Sequence, residues 1–303
     1  MNTQLDRRTL IAICASQQRF AIAVTLLCWA SAFAGIRASL TAYTPGQLAL
    51  LRFLIASLVL AVYAISARMQ LPKKEDLGAI AIIGFLGITA YHLLLNYGEL
   101  SVSAGAASLL VNTSPIFTAL LAIAFLGERL SLIRWVGIAI SFSGVVLITG
   151  GEGKGLSLDL GALLIVLSAI CMSLYMIVQK PYLKKYSALQ LTTYIIWAGT
   201  IFLLPFLPGL MQTMPKAPLS ATLAVVYLGV FPSAFAYVTW GIVLAQIPAS
   251  RAATLLYLVP VLAIIVAWVW LQEVPTILSL IGGAIALSGV LLVNTRRQAE
   301  KPI

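Results

Sequence analysis

Charged side chains are scarce in this sequence: they make up 9% of its 303 residues, against 61% hydrophobic ones, and the mean hydropathy is +1.03. A soluble domain needs charged and polar groups to cover its surface, and this chain has too few of them. Acidic residues are the rarest, nine against 19 Lys and Arg, for a formal charge of +10. That excess does not make a nucleic-acid binder, which gathers its cations on one folded polar surface; here they fall in the joints between apolar runs. The three cysteines, Cys14, Cys28 and Cys171, are odd in number and lack CxxC spacing. They point to neither a disulfide framework nor a metal site. With one histidine, and no nucleophile beside a base, no convergent carboxylate pair and no ligand cluster, no enzymatic role, catalytic residue, metal or cofactor is expected. Arg7 and Arg8 precede a short apolar run that Ser16, Gln17, Gln18 and Arg19 interrupt, which reads as a leader over 1–19 and not as a cleaved signal peptide.

What the chain has in abundance is long apolar runs. A bilayer core needs about 20 apolar residues in a helix. Ten runs come near that length: 20–40, 46–66, 77–97, 102–126, 132–150, 158–179, 188–208, 219–243, 249–271 and 276–295. The joints are short and marked by Pro, Gly, Ser or charge. The side that would hold both termini carries fifteen Lys and Arg, and the opposite side only Lys154 and Lys216, with Arg37 and Arg52 inside or at the edge of predicted helices. Cations collect on the cytoplasmic side, so both termini are expected in the cytoplasm of a multi-pass protein of the cell (inner) membrane.

Offset by 145 residues, positions 104–149 align with 249–294 without a gap, with fourteen identities in forty-six positions. The informative matches are Pro115 on Pro260, Glu128 on Glu273, Gly137 on Gly282, and Ser143-Gly144-Val145 on Ser288-Gly289-Val290. Each half then holds five spans, 20–150 and 158–295, separated by a connector over 151–157 and followed by a tail over 296–303. Because five is odd, the second half enters the membrane from the opposite face. The predicted fold is an all-α polytopic membrane protein, ten transmembrane helices as two inverted-topology five-helix repeats around a central cavity. Such halves permit alternating access to a site near the midplane.

The run Leu126-Gly127-Glu128-Arg129-Leu130 with Gly137 and Ser143-Gly144-Val145-Val146-Leu147, and its echo Leu271-Gln272-Glu273 with Gly282 and Ser288-Gly289-Val290-Leu291-Leu292, resembles the drug/metabolite transporter (DMT) superfamily, EamA type. Trp29-Ala30-Ser31, Leu51-Arg52-Phe53, and the Ser114-Pro115 and Val259-Pro260 steps fit the same pattern, from about 20 to 295. Within that family the chain is most similar to the YddG-like exporters of aromatic and other neutral amino acids. The resemblance implies metabolite export through a cavity between the halves. The second copy departs from the pattern at Gln272, where the first has Gly127, and at Ile195, near where Arg52 would recur.

Thr89, His92, Asn96 and Glu99 stack along one face of the third span, and a polar stripe inside a membrane faces a cavity or a neighbouring helix. Ser101, Ser108 and Asn112 continue the theme on one face of the fourth span. Pro115, Pro232 and Pro260 free backbone carbonyls, which makes them hinges or static kinks. Tyr175 and Gln179 share a face of the sixth span, Gln190, Tyr194 and Trp197 one of the seventh, and Tyr237 and Trp240 pair on the eighth. Trp29, Trp197 and Trp240 lie deep enough to wall a cavity, whereas Tyr43, Tyr63 and Tyr182 read as interfacial anchors. Aromatic walls with amides and hydroxyls, without paired buried charges, suit a neutral or zwitterionic ligand with an apolar body: its ammonium on an aromatic face, its carboxylate on helix N-termini or amides. The substrate-binding set is thus Trp29, Ser31, His92, Asn96, Asn112, Tyr175, Gln179, Trp197, Tyr237 and Trp240. Arg37, Arg52 and Glu99 are expected to form an outer ion-pair cluster, acting as a gate or as a structural clasp. His92 is either a coupling group or a hydrogen-bonded core residue. The partners are a small-molecule substrate and the lipid bilayer; the oligomeric state is not specified. Two further functions compete: a sugar-nucleotide or phosphorylated-metabolite carrier, which would need several buried cations, and a non-transporting membrane scaffold or receptor.

Overall fold

A computed structural model of the chain describes residues 7–126, 132–152, 159–240 and 255–295. The Gly127-Glu128-Arg129 motif, most of the 151–157 connector, the joint between the eighth and ninth runs and both tails lie outside them. The described secondary structure is helical throughout. Helix α1 spans Arg7–Leu40 and α2 Pro45–Ser66. α3 (Leu77–Gly84) passes through a π turn, Phe85–Ala90, into α4 (Tyr91–Gly98). α5 (Ala104–Val111), α6 (Ser114–Leu126), α7 (Leu132–Glu152), α8 (Leu160–Gln179), α9 (Ala188–Leu203) and α10 (Leu207–Thr213) follow. α11 (Leu219–Val230) leads into a second π turn, Phe231–Phe235, and the described chain closes with α12 (Val259–Leu271) and α13 (Ile277–Thr295).

Side-chain caps set several starts: Ser103 accepts from the Ala106 amide, Asp159 from Ala162, and Ser187 exchanges bonds with Gln190 in a capping box. Gln190, read above as part of a polar face, is spent on this cap. Helix α1 begins at Arg7 and absorbs much of the expected leader, since nothing between 7 and 19 is Gly or Pro.

Among the described residues, six segments are long and apolar enough to cross a membrane: Arg19–Leu40, Pro45–Ser66, Lys74–Gly98, Leu160–Gln179, Ala188–Thr213 and Leu219–Trp240. Trp135–Gly151, Leu256–Leu271 and Ile277–Val293 are shorter apolar helices. The run expected over 102–126 is two helices, because the chain breaks at Asn112 and Thr113. There Asn112 Nδ2 donates to the Ser108 carbonyl at 2.9 Å, and Thr113 Oγ1 to that of Leu110 at 2.6 Å. Ser173 of α8 donates to the Ser114 carbonyl at 2.8 Å, so the broken backbone finds its partners inside the protein. Pro115 and Pro260 each stand second in their helices, α6 and α12, where proline starts a helix instead of kinking one. Leu58, Val62, Ile65, Trp268, Val269 and Ile281 lie on the outside, as suits lipid and not water.

The interfacial anchoring expected for Tyr43 does not occur. Its ring is buried and its hydroxyl bonds Thr222 Oγ1 at 2.8 Å, because the α1–α2 joint folds inward against α11. Tyr63, by contrast, is exposed. Tyr43→Phe removes that bond while keeping the ring. We expect a loss of about 1 kcal/mol, read as a drop of roughly 3 °C in the melting temperature in detergent; an unshifted midpoint shows that the bond contributes nothing.

Among the described helices, α7 and α13 share the most extensive contact. A Cβ on Gly137 would sit 2.8 Å from the Gly289 carbonyl oxygen, and one on Gly282 would sit 2.7 Å from that of Gly144. Between these contacts Ser141 Oγ donates to the Ala286 carbonyl at 2.9 Å. As numbering rises along one helix the contacts fall along the other, so the two run antiparallel. The 145-residue offset carries Gly137 to Gly282, Gly144 to Gly289 and Ser141 to Ala286, so each contact maps onto another contact of the same crossing. That is the signature of a local two-fold axis passing near Ser141 and Ala286.

Candidate functional site

The polar stripe of the third span is buried along its whole length: Thr89, His92, Asn96 and Glu99 are 3%, 4%, 1% and 0% exposed. Thr89 donates to the Gly199 carbonyl of α9 at 2.9 Å, and His92 Nδ1 lies 2.9 Å from the Ile88 carbonyl of its own helix. The His92 ring stacks edge-on against Phe53 and Tyr91 at 4.5 and 4.6 Å. These contacts give His92 the surroundings of a packed core residue. Asn96 Nδ2 donates to the Pro45 carbonyl at 3.1 Å, which leaves its Oδ1 without a partner. Both carboxylate oxygens of Glu99 are also buried and unpaired.

An aromatic cluster stands where α1 meets the eighth span. Trp29 packs against Tyr237 at 5.7 Å and Trp240 at 5.3 Å, and its indole N–H donates to the Pro232 carbonyl at 3.2 Å. Ser31, less than a turn on, shares a 2.6 Å bond with the Tyr227 hydroxyl. Arg52 enters from α2, buried to 5% exposure, and donates through Nε to Ser233 Oγ at 2.6 Å. Its other surroundings include Tyr91, Tyr237 and Glu99.

Pro232 and Ser233 belong to the second π turn. Offset by 145 residues, Leu86–Ala90 of the first π turn falls on Phe231–Phe235, so the two turns occupy equivalent places in the two halves. A π turn leaves backbone groups misaligned with the helix ladder, and such turns recur where helices carry function. The second one presents a carbonyl to Trp29 and a hydroxyl to Arg52. The first lies against Tyr175, which a Cβ on Gly87 would meet at 2.3 Å, and Gln179 neighbours the Tyr175 hydroxyl.

The remaining expected site residues are dispersed. Trp197 donates to the Ser57 carbonyl at 3.3 Å and packs toward Tyr194, on the α2–α9 side and apart from Trp29. Asn112 ends α5 and bonds its own helix. The expected Arg37, Arg52 and Glu99 cluster does not form as an ion pair. Arg37 pairs instead with Glu273 at 2.8 Å and donates to the Glu99 backbone carbonyl, while the Glu99 carboxylate stays unpaired. The sequence hid this, because Glu273 lies 236 residues from Arg37 and only the packing of α1 on α12 brings them together. The second Glu273 oxygen accepts from the Ala104 amide at 3.1 Å, tying this acid to the start of α5 as well.

A second clasp stands at the opposite end of the bundle. Asp76 accepts from Lys185 Nζ at 2.8 Å and from the Tyr186 hydroxyl at 2.7 Å, and its carboxylate holds the Lys185 ammonium above the usual lysine range. A groove of about 520 Å³ between the end of α2 and the start of α9, lined by Tyr63, Arg68 and Gln190 among others, opens at that end. Sequence reasoning missed Ser233, Tyr91 and Tyr227. The Phe-Pro-Ser step within an apolar run was the one available signal for Ser233, while the tyrosines looked like ordinary membrane aromatics.

Comparison with known proteins places these features in context. The profile of the EamA-like transporter family matches residues 19–150 and again 159–295. An uncharacterized transporter of Bacillus subtilis is 47% identical over 262 residues, 86% of each chain. A probable terminal-alkyne amino-acid exporter of Streptantibioticus cattleyicolor is 40% identical over 294 residues, 95% of this chain and 98% of its own. A solved crystal structure aligns over 94% of this chain and 99% of that one with a TM-score of 0.61; at 21% identity, the likeness is one of fold alone.

Proposed function

Because this chain belongs to the EamA-like transporter family, we propose that it exports small zwitterionic metabolites, aromatic or other large neutral amino acids, by alternating access between two inverted five-span halves. The halves are residues 20–150 and 158–295, ten spans in all, with both termini on the cytoplasmic side of the cell membrane. The antiparallel α7–α13 crossing, the equivalent π turns and the double family match support this division. The lopsided Lys and Arg distribution supports the orientation.

The observation that carries the substrate reading is the Trp29, Tyr237 and Trp240 cluster beside Arg52 and the buried third-span stripe. It joins aromatic surface for an apolar side chain to polar groups for an amino-acid head. The 40% identical relative, described as a probable terminal-alkyne amino-acid exporter, is consistent with an amino-acid cargo. Ser31 supports Tyr227, while Tyr175 and Gln179 line the approach from α8. Trp197 and Asn112 serve helix packing, Pro115 and Pro260 start the helices that follow the breaks in the fourth and ninth runs, and Pro232 lies in the second π turn.

The protein reconstituted in proteoliposomes and preloaded with unlabelled amino acid should accumulate labelled tryptophan by counterflow well above empty vesicles. Trp29→Ala should lower that uptake about tenfold at equal protein, the equivalent of about 1.4 kcal/mol of lost contact. Uptake equal to that of empty vesicles across a full amino-acid panel defeats the reading.

A further inference from the structure

An acidic and a basic side chain are buried in this bundle with polar atoms left unused, and no salt bridge joins them. The Glu99 carboxylate is fully buried with both oxygens unbonded. The nearby guanidinium of Arg37 is spent on Glu273 and on the Glu99 backbone. Arg52 gives only its Nε, to Ser233, and among the described residues its two terminal nitrogens make no hydrogen bond or salt bridge. An ionised group inside a membrane is costly and rare, and it persists where a ligand or a transport step uses it.

The unused atoms have a definite chemistry. Arg52 keeps its two terminal amino groups, a planar fork that matches a carboxylate in bidentate fashion. Glu99 offers two acceptors, and Asn96, one turn earlier on the same face, offers a third in Oδ1. The Pro45 bond fixes the amide orientation, so this oxygen is the free one. Three acceptors on one helix face equal in number the three donors of an ammonium.

The spacing agrees. Phe53 stacks on His92 at 4.5 Å, so its neighbour Arg52 lies level with that part of the third span. Glu99 is seven residues further on, about 10 Å along the helix axis. An arginine side chain together with an amino-acid head is long enough to bridge that interval.

We propose that Arg52 receives the α-carboxylate, and Glu99 with Asn96 the α-ammonium, of a transported amino acid. This assignment rests on the amino-acid reading above, and it replaces the expectation of a site without countercharges. Tyr91 and Tyr237 flank Arg52, and Trp29 stacks on Tyr237, so the amino-acid side chain would extend toward the aromatic cluster.

The test compares one amino acid with its two half-molecules in proteoliposomes: L-tryptophan, tryptamine, which lacks the carboxylate, and indole-3-propionate, which lacks the amine. Against counterflow by the unaltered protein, each half-molecule should compete at least about tenfold more weakly than tryptophan. Arg52→Gln should collapse the preference for tryptophan over tryptamine toward unity while keeping that over indole-3-propionate, and Glu99→Gln should do the reverse. Equal competition by the three compounds on the unaltered protein overturns the proposal without any variant, and so does an equal loss of all three activities in both variants. If the unaltered protein moves no amino acid, the amino-acid reading itself fails. If it moves tryptophan but the preferences do not shift, only the assignment of Arg52 and Glu99 fails.

Discussion

Replacing Gly144 with leucine should cost this protein its assembly. A Cβ at this position would stand 2.4 Å from the Ala286 amide nitrogen and 2.5 Å from the Gly282 carbonyl oxygen. Those are backbone atoms of a facing helix and cannot rotate aside as a flexible side chain does. The whole of α13 must shift, and the Ser141 bond to Ala286 and the equivalent Gly137–Gly289 contact shift with it. In lipid no hydrophobic force draws helices together, so close backbone approach and interhelical hydrogen bonds provide the attraction that leucine removes. Overpacking of this kind costs about 3 kcal/mol or more, which corresponds to a melting temperature in detergent lower by roughly 10 °C. The control is Gly78→Ala on α3, where nothing lies within 4 Å of the added carbon. There we expect no loss, since alanine is the better helix former. Wild-type melting for the Gly144 variant places the crossing elsewhere.

Charge reversal at Arg37 or Glu273 should have the next largest effect, on transport more than on stability. The pair joins the end of α1 to the joint between α12 and α13, and so joins the first half to the second. Both side chains are partly exposed, and the ion pair itself contributes about 1 kcal/mol after screening. A reversal does more than delete it. Arg37→Glu sets two carboxylates against each other beside the buried Glu99 and withdraws the donor from the Glu99 carbonyl. Glu273→Arg takes the acceptor from the Ala104 amide. Each single variant should transport about tenfold more slowly, near 1.4 kcal/mol. The double reversal recovers the ion pair but neither backbone bond, so rescue should be partial, to within about threefold of wild type. Two equal single effects that simply add in the double variant show that the pair does not act as a clasp between the halves.

In this protein the period and the packing are legible in different places. The offset of 145 residues is carried by residues that tolerate little substitution at a helix contact: Gly137 on Gly282, Gly144 on Gly289, Pro115 on Pro260. Those same glycines form the α7–α13 crossing, so the repeat can be read from the contacts that require it. The polar stripe from Thr89 to Glu99 was visible for a similar reason, since seven helical residues return to one face and polar side chains in an apolar run have few places to go.

Three features could not be read in that way. The π turns at Phe85–Ala90 and Phe231–Phe235 depend on how neighbouring helices take up slack in a backbone ladder, and nothing in Phe-Leu-Gly or Phe-Pro-Ser specifies an i→i+5 bond. The partner of Arg37 is set by a contact across 236 positions. Tyr43 became a core residue because α11 lies over it, although its place next to a helix end is that of an interfacial anchor.

The sequence alone determined the solvent, the helical class and the internal repeat that the family profile matches twice, because composition and periodicity are local properties that a bilayer enforces residue by residue. Only the tertiary structure decided which of the buried charges are paired. An ion pair is a matter of a few ångströms between separate helices, and those distances are set by the packing of the whole bundle. That packing gave Arg37 to Glu273, set Arg52 on Ser233, and left the Glu99 carboxyl oxygens without a hydrogen-bond partner.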